Sequence, residues 1–133
     1  VMNNSWGGGP YSKALEDAIR GARDQGILFV AAAGNGRQDN DTQPTYPANY
    51  NVDNVVSVGA IDNRGQLSVW KSLVQPNPTS PPVVRETGGS HWGATSVDVL
   101  APGTKVLSTV PGDKLCLVHP PEPGKPCDYG PEK

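Results

Sequence analysis

The sequence predicts an α/β fold, with a mainly parallel sheet flanked by helices and with long proline-rich loops. Apolar residues recur at helical spacing over 12–24, and a continuous apolar run follows at 27–33. A run without polar alternation is typical of a strand that is buried on both faces of a parallel sheet. Of the 14 prolines, 11 lie at or beyond Pro76, so the second half is expected to be rich in loops. The length of 133 residues is that of one small domain.

The first element in this order is a helix that follows a turn of high backbone freedom at 7–10. Ser12 is placed to cap it, and it is expected to run to about Asp24. Gly26 stands just past the last turn, where glycine commonly ends a helix. The apolar face expected to pack inward consists of Ala14, Leu15, Ala18, Ile19 and Ala22.

Further strands are predicted at 54–60 and 97–100, with another at 106–109. The opening residues contain too little apolar material for periodicity alone to identify a strand. Taken as a strand before the helix and the run at 27–33, they complete the order of a βαβ unit with a right-handed crossover. Ligands of open α/β sheets bind beyond the carboxyl ends of the strands. We therefore expect the glycine-rich segments 5–8 and 34–36 to face each other across one cleft.

Composition excludes some classes of function. The formal net charge of −2 gives no electrostatic reason to expect a nucleic acid or an acidic membrane as partner. No apolar stretch approaches the ~18–20 residues of a membrane span, and no signal peptide is visible in this chain. Cys116 and Cys127 flank a proline-rich segment. They are either two unrelated thiols or, in a secreted protein, a disulfide that closes one short loop.

Five blocks of sequence carry a more specific signal. They are NSWGG at 4–8, VAAAGNG at 30–36, PTYPA at 44–48, NVVSVGA at 54–60 and WGATSVDVLAPG at 92–103. In this order they resemble the central part of the catalytic domain of the subtilisin-like (subtilase, peptidase S8) serine proteases. The resemblance implies that 1–112 is part of such a domain, with a surface-loop insertion at about 71–91. It fades over 113–133, which is either a second insertion or a divergent proline-rich tail.

The resemblance identifies Asn35 as the side-chain donor of an oxyanion hole. A fixed amide N–H aimed at the carbonyl oxygen stabilises the charge that develops when a peptide bond is attacked. Loss of such a donor costs about 2.7–4 kcal/mol, a magnitude known for the corresponding asparagine of subtilisin itself. Asn-Gly after a strand is more often a simple turn. The surrounding blocks favour the catalytic reading here.

The same resemblance implies a substrate-binding role for a set of flanking residues. The backbone of Ser5, Trp6, Gly7 and Gly8 would pair with an extended substrate, because glycine lets another backbone approach closely. Small residues would form the opposite wall of a deep pocket that accepts a large apolar side chain; they are Ala32, Ala33 and Gly34. Tyr46 and Pro47 would close the far end of the substrate cleft. Trp6 could instead be a core or lid aromatic, and 46–47 an ordinary surface turn.

The family's catalytic triad is absent from this chain. Its aspartate motif (Asp-Thr/Ser-Gly), its histidine motif (His-Gly-Thr-His) and its serine motif (Gly-Thr-Ser-Met-Ala) do not occur in the sequence. His91 and His119 lie in loop-like sequence, and a solvated imidazole is expected for His91. Ser96 belongs to a block that matches another part of the fold. In the family, the aspartate and histidine precede the first block and the serine follows the last one.

The sequence thus predicts part of a serine endopeptidase domain that is inactive as an isolated chain. The expected partners are a polypeptide substrate and the remainder of the domain, with no cofactor required. Family habit implies secretion and, in some relatives, a weak structural cation such as calcium around Ala48 and Tyr50. The alternative is a degenerate, non-catalytic subtilase that binds peptides. A dinucleotide-binding module is excluded because Asp39 and Ser12 stand where the third glycine of each glycine-rich segment would be required.

Overall fold

The computed structural model describes residues 1–104 and 106, which form one helix and six strands. The elements are β1 (Met2–Asn4), α1 (Lys13–Asp24), β2 (Phe29–Ala32), β3 (Val55–Ile61), β4 (Val69–Val74), β5 (Val83–Gly89) and β6 (Val99–Pro102). Four strands make a parallel sheet in the order β1-β2-β3-β6, and β4 and β5 form an antiparallel hairpin. The predicted parallel sheet is confirmed. Among the described residues, no helix is long and apolar enough to span a membrane.

Helix α1 begins and ends where the sequence indicates. The Oγ atom of Ser12 accepts a hydrogen bond from the N–H of Leu15, which satisfies one of the free donors of the first turn. Gly26 has a φ of +68°, and its N–H donates to the carbonyl of Arg23 at 2.8 Å. The hydroxyl of Tyr50 fixes the start of the helix by donating to the carbonyl of Ser12 and accepting from its N–H.

The buried face of α1 is narrower than the spacing of its apolar residues predicts. Ile19 is fully buried and Leu15 and Ala22 are half-buried, but Ala14 and Ala18 are exposed. The helix contacts the rest of the described chain mainly along one stripe, which packs on β2 and on the segment after it. The buried cluster there consists of Ile19, Phe29, Ala31, Ala48, Tyr50 and Val52.

The strands begin within two residues of their predicted positions. The strand predicted at 97–100 begins at Val99, because at Asp98 a side-chain carboxylate replaces a backbone carbonyl as the acceptor. The Asp98 carboxylate accepts the N–H of Ser57 at 2.7 Å, and the Asp98 N–H donates to the Ser57 carbonyl. The strand predicted at 106–109 lies outside the described residues, except for Val106, which is not in a strand.

The segment 71–91 was expected to be a surface loop, and this expectation was wrong for most of it. Strands β4 and β5 pair in antiparallel register from Val69 opposite Gly89 to Val74 opposite Val83, with one bulge. β-Branched residues in both strands favour this pairing. The four prolines of the segment lie between the strands, at 76, 78, 81 and 82, where no ladder N–H is needed.

The sheet places the two glycine-rich segments together at the carboxyl ends of its strands. β1 and β2 are adjacent and parallel, with Asn4 opposite Ala31, so both chains leave the sheet at the same end. The segment 5–8 follows β1 there, and the segment 34–36 follows β2. The predicted cleft between them therefore exists.

Candidate active site

A cleft of about 430 Å³ lies at the carboxyl ends of β1 and β2. The predicted site residues that line it are Ser5, Trp6, Gly7, Gly8, Ala32, Gly34 and Asn35. Trp6 is 52% exposed, so it is not a core aromatic. The sheet thus brings most of the predicted site into one place.

The remaining predicted residues lie beside this cleft. Ala33 is buried and lines an adjoining cleft of about 250 Å³ over the face of the sheet. The carbonyl of Tyr46 accepts the N–H of Gly8 at 3.1 Å, while Pro47, after a cis peptide bond, is fully buried. The ring of Tyr46 packs against Tyr50 at a centroid distance of 4.7 Å. Tyr46 and Pro47 therefore support the segment 5–8 from behind.

The segment 5–8 forms one wall of the cleft, and the local geometry requires two of its glycines. A Cβ atom on Gly7 would lie 3.2 Å from the carbonyl oxygen of Tyr46, which is closer than ordinary contact. Gly8 has a φ of +98°, a conformation that L side chains rarely adopt. Both glycines keep this wall thin and leave its backbone accessible from the cleft.

Asn35 lies at the boundary between the two clefts and is exposed. Its backbone carbonyl accepts the N–H of Gly89 at 3.0 Å, which anchors the residue. Its side-chain amide makes no hydrogen bond to any of residues 1–104, so its N–H groups are available to a ligand in the cleft. The chemistry open to it is donation to an oxygen that gains negative charge.

The loop that carries Asn35 is held from behind by the end of β5 and the residues after it. The N–H of His91 donates to the carbonyl of Gly34 at 3.0 Å, and the N–H of Arg37 donates to the carbonyl of Gly89 at 3.0 Å. Further along, the N–H of Trp92 donates to the carbonyl of Gln38 at 3.1 Å. Segment 34–40 is thus paired in parallel with segment 89–92. Sequence reasoning did not find this pairing, because nothing local relates the two segments.

His91 is buried, with 5% of its surface exposed, so the expected solvated imidazole is a wrong prediction. Its Nδ1 atom lies 2.9 Å from Oδ1 of Asn40 and 3.3 Å from Oγ1 of Thr45. The Nδ2 atom of Asn40 donates in turn to the carbonyl of Ala33 at 2.9 Å. Burial lowers the pKa of His91, and a hydrogen bond with the Ala33 backbone partly opposes this shift.

A second polar cluster fixes the loop after Gly93. The carboxylate of Asp41 accepts the N–H groups of Ala94, Thr95 and Ser96 and the hydroxyls of the last two. These donors, led by the Ser96 hydroxyl, lower the pKa of Asp41 to about 2. The role of Ser96 here is to donate to a carboxylate, which fits its expected place outside the catalytic machinery.

The described residues hold no catalytic triad. His91 is the one histidine among them, and its contacts are with amide and hydroxyl groups rather than with a serine–aspartate pair. Within residues 1–104, no three His, Cys, Asp or Glu side chains come together as metal ligands would. Cys116, Cys127 and His119 lie outside the described residues.

A larger open cleft, of about 1070 Å³, lies between the hairpin and the turn at 62–68. Five of its lining residues are charged, and two ion pairs engage four of them: Arg37 with Glu86, and Arg64 with Asp62. It contains neither Asn35 nor either glycine-rich segment. The candidate site is therefore the 430 Å³ cleft.

The chain is similar to members of one known protein family. The profile of the subtilase family matches residues 1–128. Fervidolysin from Fervidobacterium pennivorans is 36% identical over 113 residues, which cover 85% of this chain and 13% of that protein. Subtilisin DY from Bacillus licheniformis is 33% identical over 114 residues, which cover 85% of this chain and 34% of that protein.

A solved structure is also similar. The psychrophilic subtilisin-like protease Apa1 from the Antarctic psychrotroph Pseudoalteromonas sp. AS-11 superposes with a TM-score of 0.51 at 25% sequence identity. The match covers 74% of this chain and 17% of that one. The chain therefore spans about a third or less of the length of each of these three relatives.

Proposed function

This chain belongs to the subtilase family of serine proteases, and on that premise we propose that it is the central part of a serine endopeptidase domain. In the whole domain, a serine attacks the peptide carbonyl, a histidine carries the proton and an aspartate orients the histidine. This chain supplies the oxyanion donor and the walls of the substrate cleft. The free side-chain amide of Asn35, at the rim of a cleft with glycine-rich walls, is the observation that carries the proposal.

The proposed substrate is an extended polypeptide. Residues 5–8 are exposed, and their glycines let a second backbone come close enough for main-chain hydrogen bonds. The side chain before the scissile bond then enters the 430 Å³ cleft between this segment and Gly34. The carbonyl carbon of that residue is thereby brought beside Asn35, where an oxyanion would form.

The isolated chain is proposed to be inactive, because it carries neither the nucleophile nor the base. Its sheet leaves apolar side chains exposed, notably Leu28, Val99 and Leu100, each with nearly half its surface in solvent. We propose that other parts of the domain cover them, since patches of this kind on a soluble domain commonly mark contact surfaces. Secretion, which the family implies, remains part of this proposal.

The weak cation expected around Ala48 and Tyr50 stays a prediction. The carbonyl of Tyr50 already accepts the N–H of Val52 at 2.8 Å. The neighbouring carboxylate of Asp53 lies 3.7 Å from the guanidinium of Arg23. No step of the proposed chemistry depends on a cation there.

The test uses the intact protein that contains this chain and replaces Asn35 by alanine. If the amide stabilises the oxyanion, kcat for a peptide substrate falls about 10²–10³-fold while KM changes little, because the interaction forms only in the transition state. The matched control is Asn63→Ala, at an exposed position in the 62–66 turn outside the cleft. Equal activities of the two variants would refute the role of Asn35. An intact protein that binds peptides without cutting them would favour the degenerate peptide-binding subtilase.

A further inference from the structure

Part of the lining of the 430 Å³ cleft is polar and was not predicted from the sequence. Gln38, Thr45 and His91 line the cleft together with the glycines of segment 34–36. A Cβ atom on Gly36 would lie 3.0 Å from Nε2 of His91 and 3.6 Å from Oε1 of Gln38. The two polar atoms therefore approach the same point beside Gly36, and a side chain at that position would crowd the Nε2 atom of His91.

The hydrogen bonds around His91 determine which of its nitrogens carries the proton. Asn40 uses its Nδ2 to donate to the carbonyl of Ala33, so its Oδ1 faces His91. An amide oxygen has no proton to give, so Nδ1 of His91 must be the donor in this 2.9 Å contact. Burial, which lowers the pKa of the imidazole, favours the neutral ring. Nε2, on the cleft side, is then an unprotonated acceptor.

Gln38 is oriented by the same kind of argument. Its Nε2 donates to the carbonyl of Gln43 at 3.4 Å and to Oγ1 of Thr45 at 3.3 Å. Both amide protons of Gln38 are thereby engaged in hydrogen bonds with the segment 43–45. The Oε1 atom is left near Gly36 as a free acceptor. The cleft thus offers two acceptors from these side chains beside Gly36, and no charged side chain lines it.

We propose that Gln38 and His91 make this cleft selective for a substrate residue that ends in an uncharged hydrogen-bond donor, with glutamine as the preferred side chain before the scissile bond. This rests on the proposed function, because it assigns the cleft to that substrate residue, and it departs from the large apolar residue expected from the sequence. A methionine of the same length leaves both acceptors unpaired. A glutamate adds a negative charge that faces them. A lysine would leave its charge without a counter-ion in the cleft.

The experiment compares three peptides that differ only in having glutamine, methionine or glutamate before the scissile bond. The intact protein should cleave the glutamine peptide with a kcat/KM roughly tenfold above that for methionine, and glutamate should be the poorest substrate. Gln38→Met should lower the preference for glutamine over methionine. Gln43→Met is the matched control, because this exposed neighbour does not line the cleft. His91→Asn is the second variant; it keeps a donor for Asn40 but is too short to place an acceptor where Nε2 of His91 lies, so it should also lower the preference.

Binding separates this inference from the proposed function. Uncleavable amides of the same three peptides can be titrated against the intact protein, with the fluorescence of tryptophan as the readout because Trp6 lines the cleft. Tighter binding of the glutamine peptide supports the inference even if no peptide is cut, in which case only the proposed function fails. Equal or tighter binding of the methionine peptide, or an unchanged preference in both variants, overturns the inference.

Discussion

The Nδ1 atom of His91 lies 2.9 Å from the Oδ1 atom of Asn40, although 51 positions separate the two residues in the sequence. Both residues are buried, and Asn40 is completely so. The contact connects the segment after the hairpin to the loop that begins with Gly34. Because Asn40 also donates to Ala33, the pair braces the chain on both sides of Asn35. The position of the candidate oxyanion donor therefore depends on a buried polar contact as well as on the glycine-rich segments.

Removing the imidazole should destabilise the protein. His91→Ala leaves a cavity and deprives the buried Oδ1 of Asn40 of its donor, which together cost at least about 2 kcal/mol of unfolding free energy. His91→Asn should recover part of this loss, because its amide can still donate to Asn40. Denaturant unfolding of the intact protein and the two variants measures the difference. Equal loss in both variants would show that the hydrogen bond contributes little.

The same histidine should make stability depend on pH. Its pKa is lowered in the folded chain by burial, so the unfolded chain binds the proton more tightly. The stability is therefore complete above the ordinary histidine pKa of about 6.5 and falls as the pH drops below that value. Unfolding free energies at pH 7.5 and pH 5 should differ more in the wild type than in His91→Asn. A pH dependence that the substitution leaves unchanged would contradict this assignment.

The site could be predicted from the sequence only where its residues follow a strand. Ser5 comes directly after β1 and Asn35 three residues after the end of β2, and the rule that ligands bind at carboxyl ends of parallel strands was enough to bring them together. His91 could not be placed in this way. Its burial depends on a parallel pairing between segments that are distant in sequence, and its neighbours Ser90 and Trp92 give no periodic signal of burial.

Glycine replacements should have opposite effects at two positions. Gly34 has a φ of +128°, and a Cβ atom there would lie 2.3 Å from Nδ1 of His91. Gly34→Ala should therefore cost more than about 2 kcal/mol and displace Asn35. Gly21 lies inside α1 with nothing within 4 Å of its added Cβ, so Gly21→Ala should stabilise the helix by about 0.5–1 kcal/mol.

Thermal unfolding of the intact protein with each glycine replacement would measure this contrast. The two variants carry the same added methyl group and differ in their surroundings alone. A Gly34→Ala variant as stable as the wild type would mean that His91 can move without cost, and would remove the argument that its ring is fixed against the loop.

Asp41 should be required for the order of the loop at 94–96. Asp41→Asn removes the charge that attracts five donor groups, so the melting temperature should fall at pH 7. Because the folded pKa of about 2 lies below the ordinary aspartate value, the stabilisation is present above about pH 4 and is lost as the pH falls towards 2. The wild type and the variant should therefore converge in stability in strong acid.

The matched control for Asp41 is Asp53→Asn. Asp53 is mostly exposed and has one long contact, with Arg23 at 3.7 Å, so its replacement should change the melting temperature little. Equal shifts for the two variants would mean that net charge, rather than the cluster around Asp41, determines the effect.

The fold was predictable where local pattern and tertiary pairing agree. Ser12 and Gly26 mark the ends of α1 because capping is a local property, and the apolar run before Gly34 needs no partner to be recognised as a buried strand. The hairpin was missed because its prolines and polar residues dominate the composition of 71–91. Strand pairing there depends on which residues lie opposite each other, as Val74 does Val83, and this cannot be read from composition.

The tip of the hairpin (residues 75–82) should be dispensable, whereas its base (Gly88 and Gly89) should be necessary. Val74 and Val83 are paired, so an Asn-Gly turn can replace residues 75–82 and still connect the two strands. The replaced residues are mainly exposed, and the contacts with the Asn35 loop come from Gly89, His91 and Trp92. We expect the unfolding free energy to change by less than about 0.5 kcal/mol and the amide signal of Asn35 in NMR spectra to keep its position.

Gly88→Ala is the contrasting variant at the base of the hairpin. A Cβ atom on Gly88 would lie 2.5 Å from the carbonyl oxygen of Asn35, so the added methyl group must displace the loop. The amide signal of Asn35 should shift, and peptide cleavage by the intact protein should fall with it. If shortening the tip instead moves Asn35 as much as Gly88→Ala does, the whole hairpin and not its base positions Asn35. In that case the length of the hairpin would determine the position of Asn35, because residues 75–82 make none of the hydrogen bonds that hold the loop 34–40.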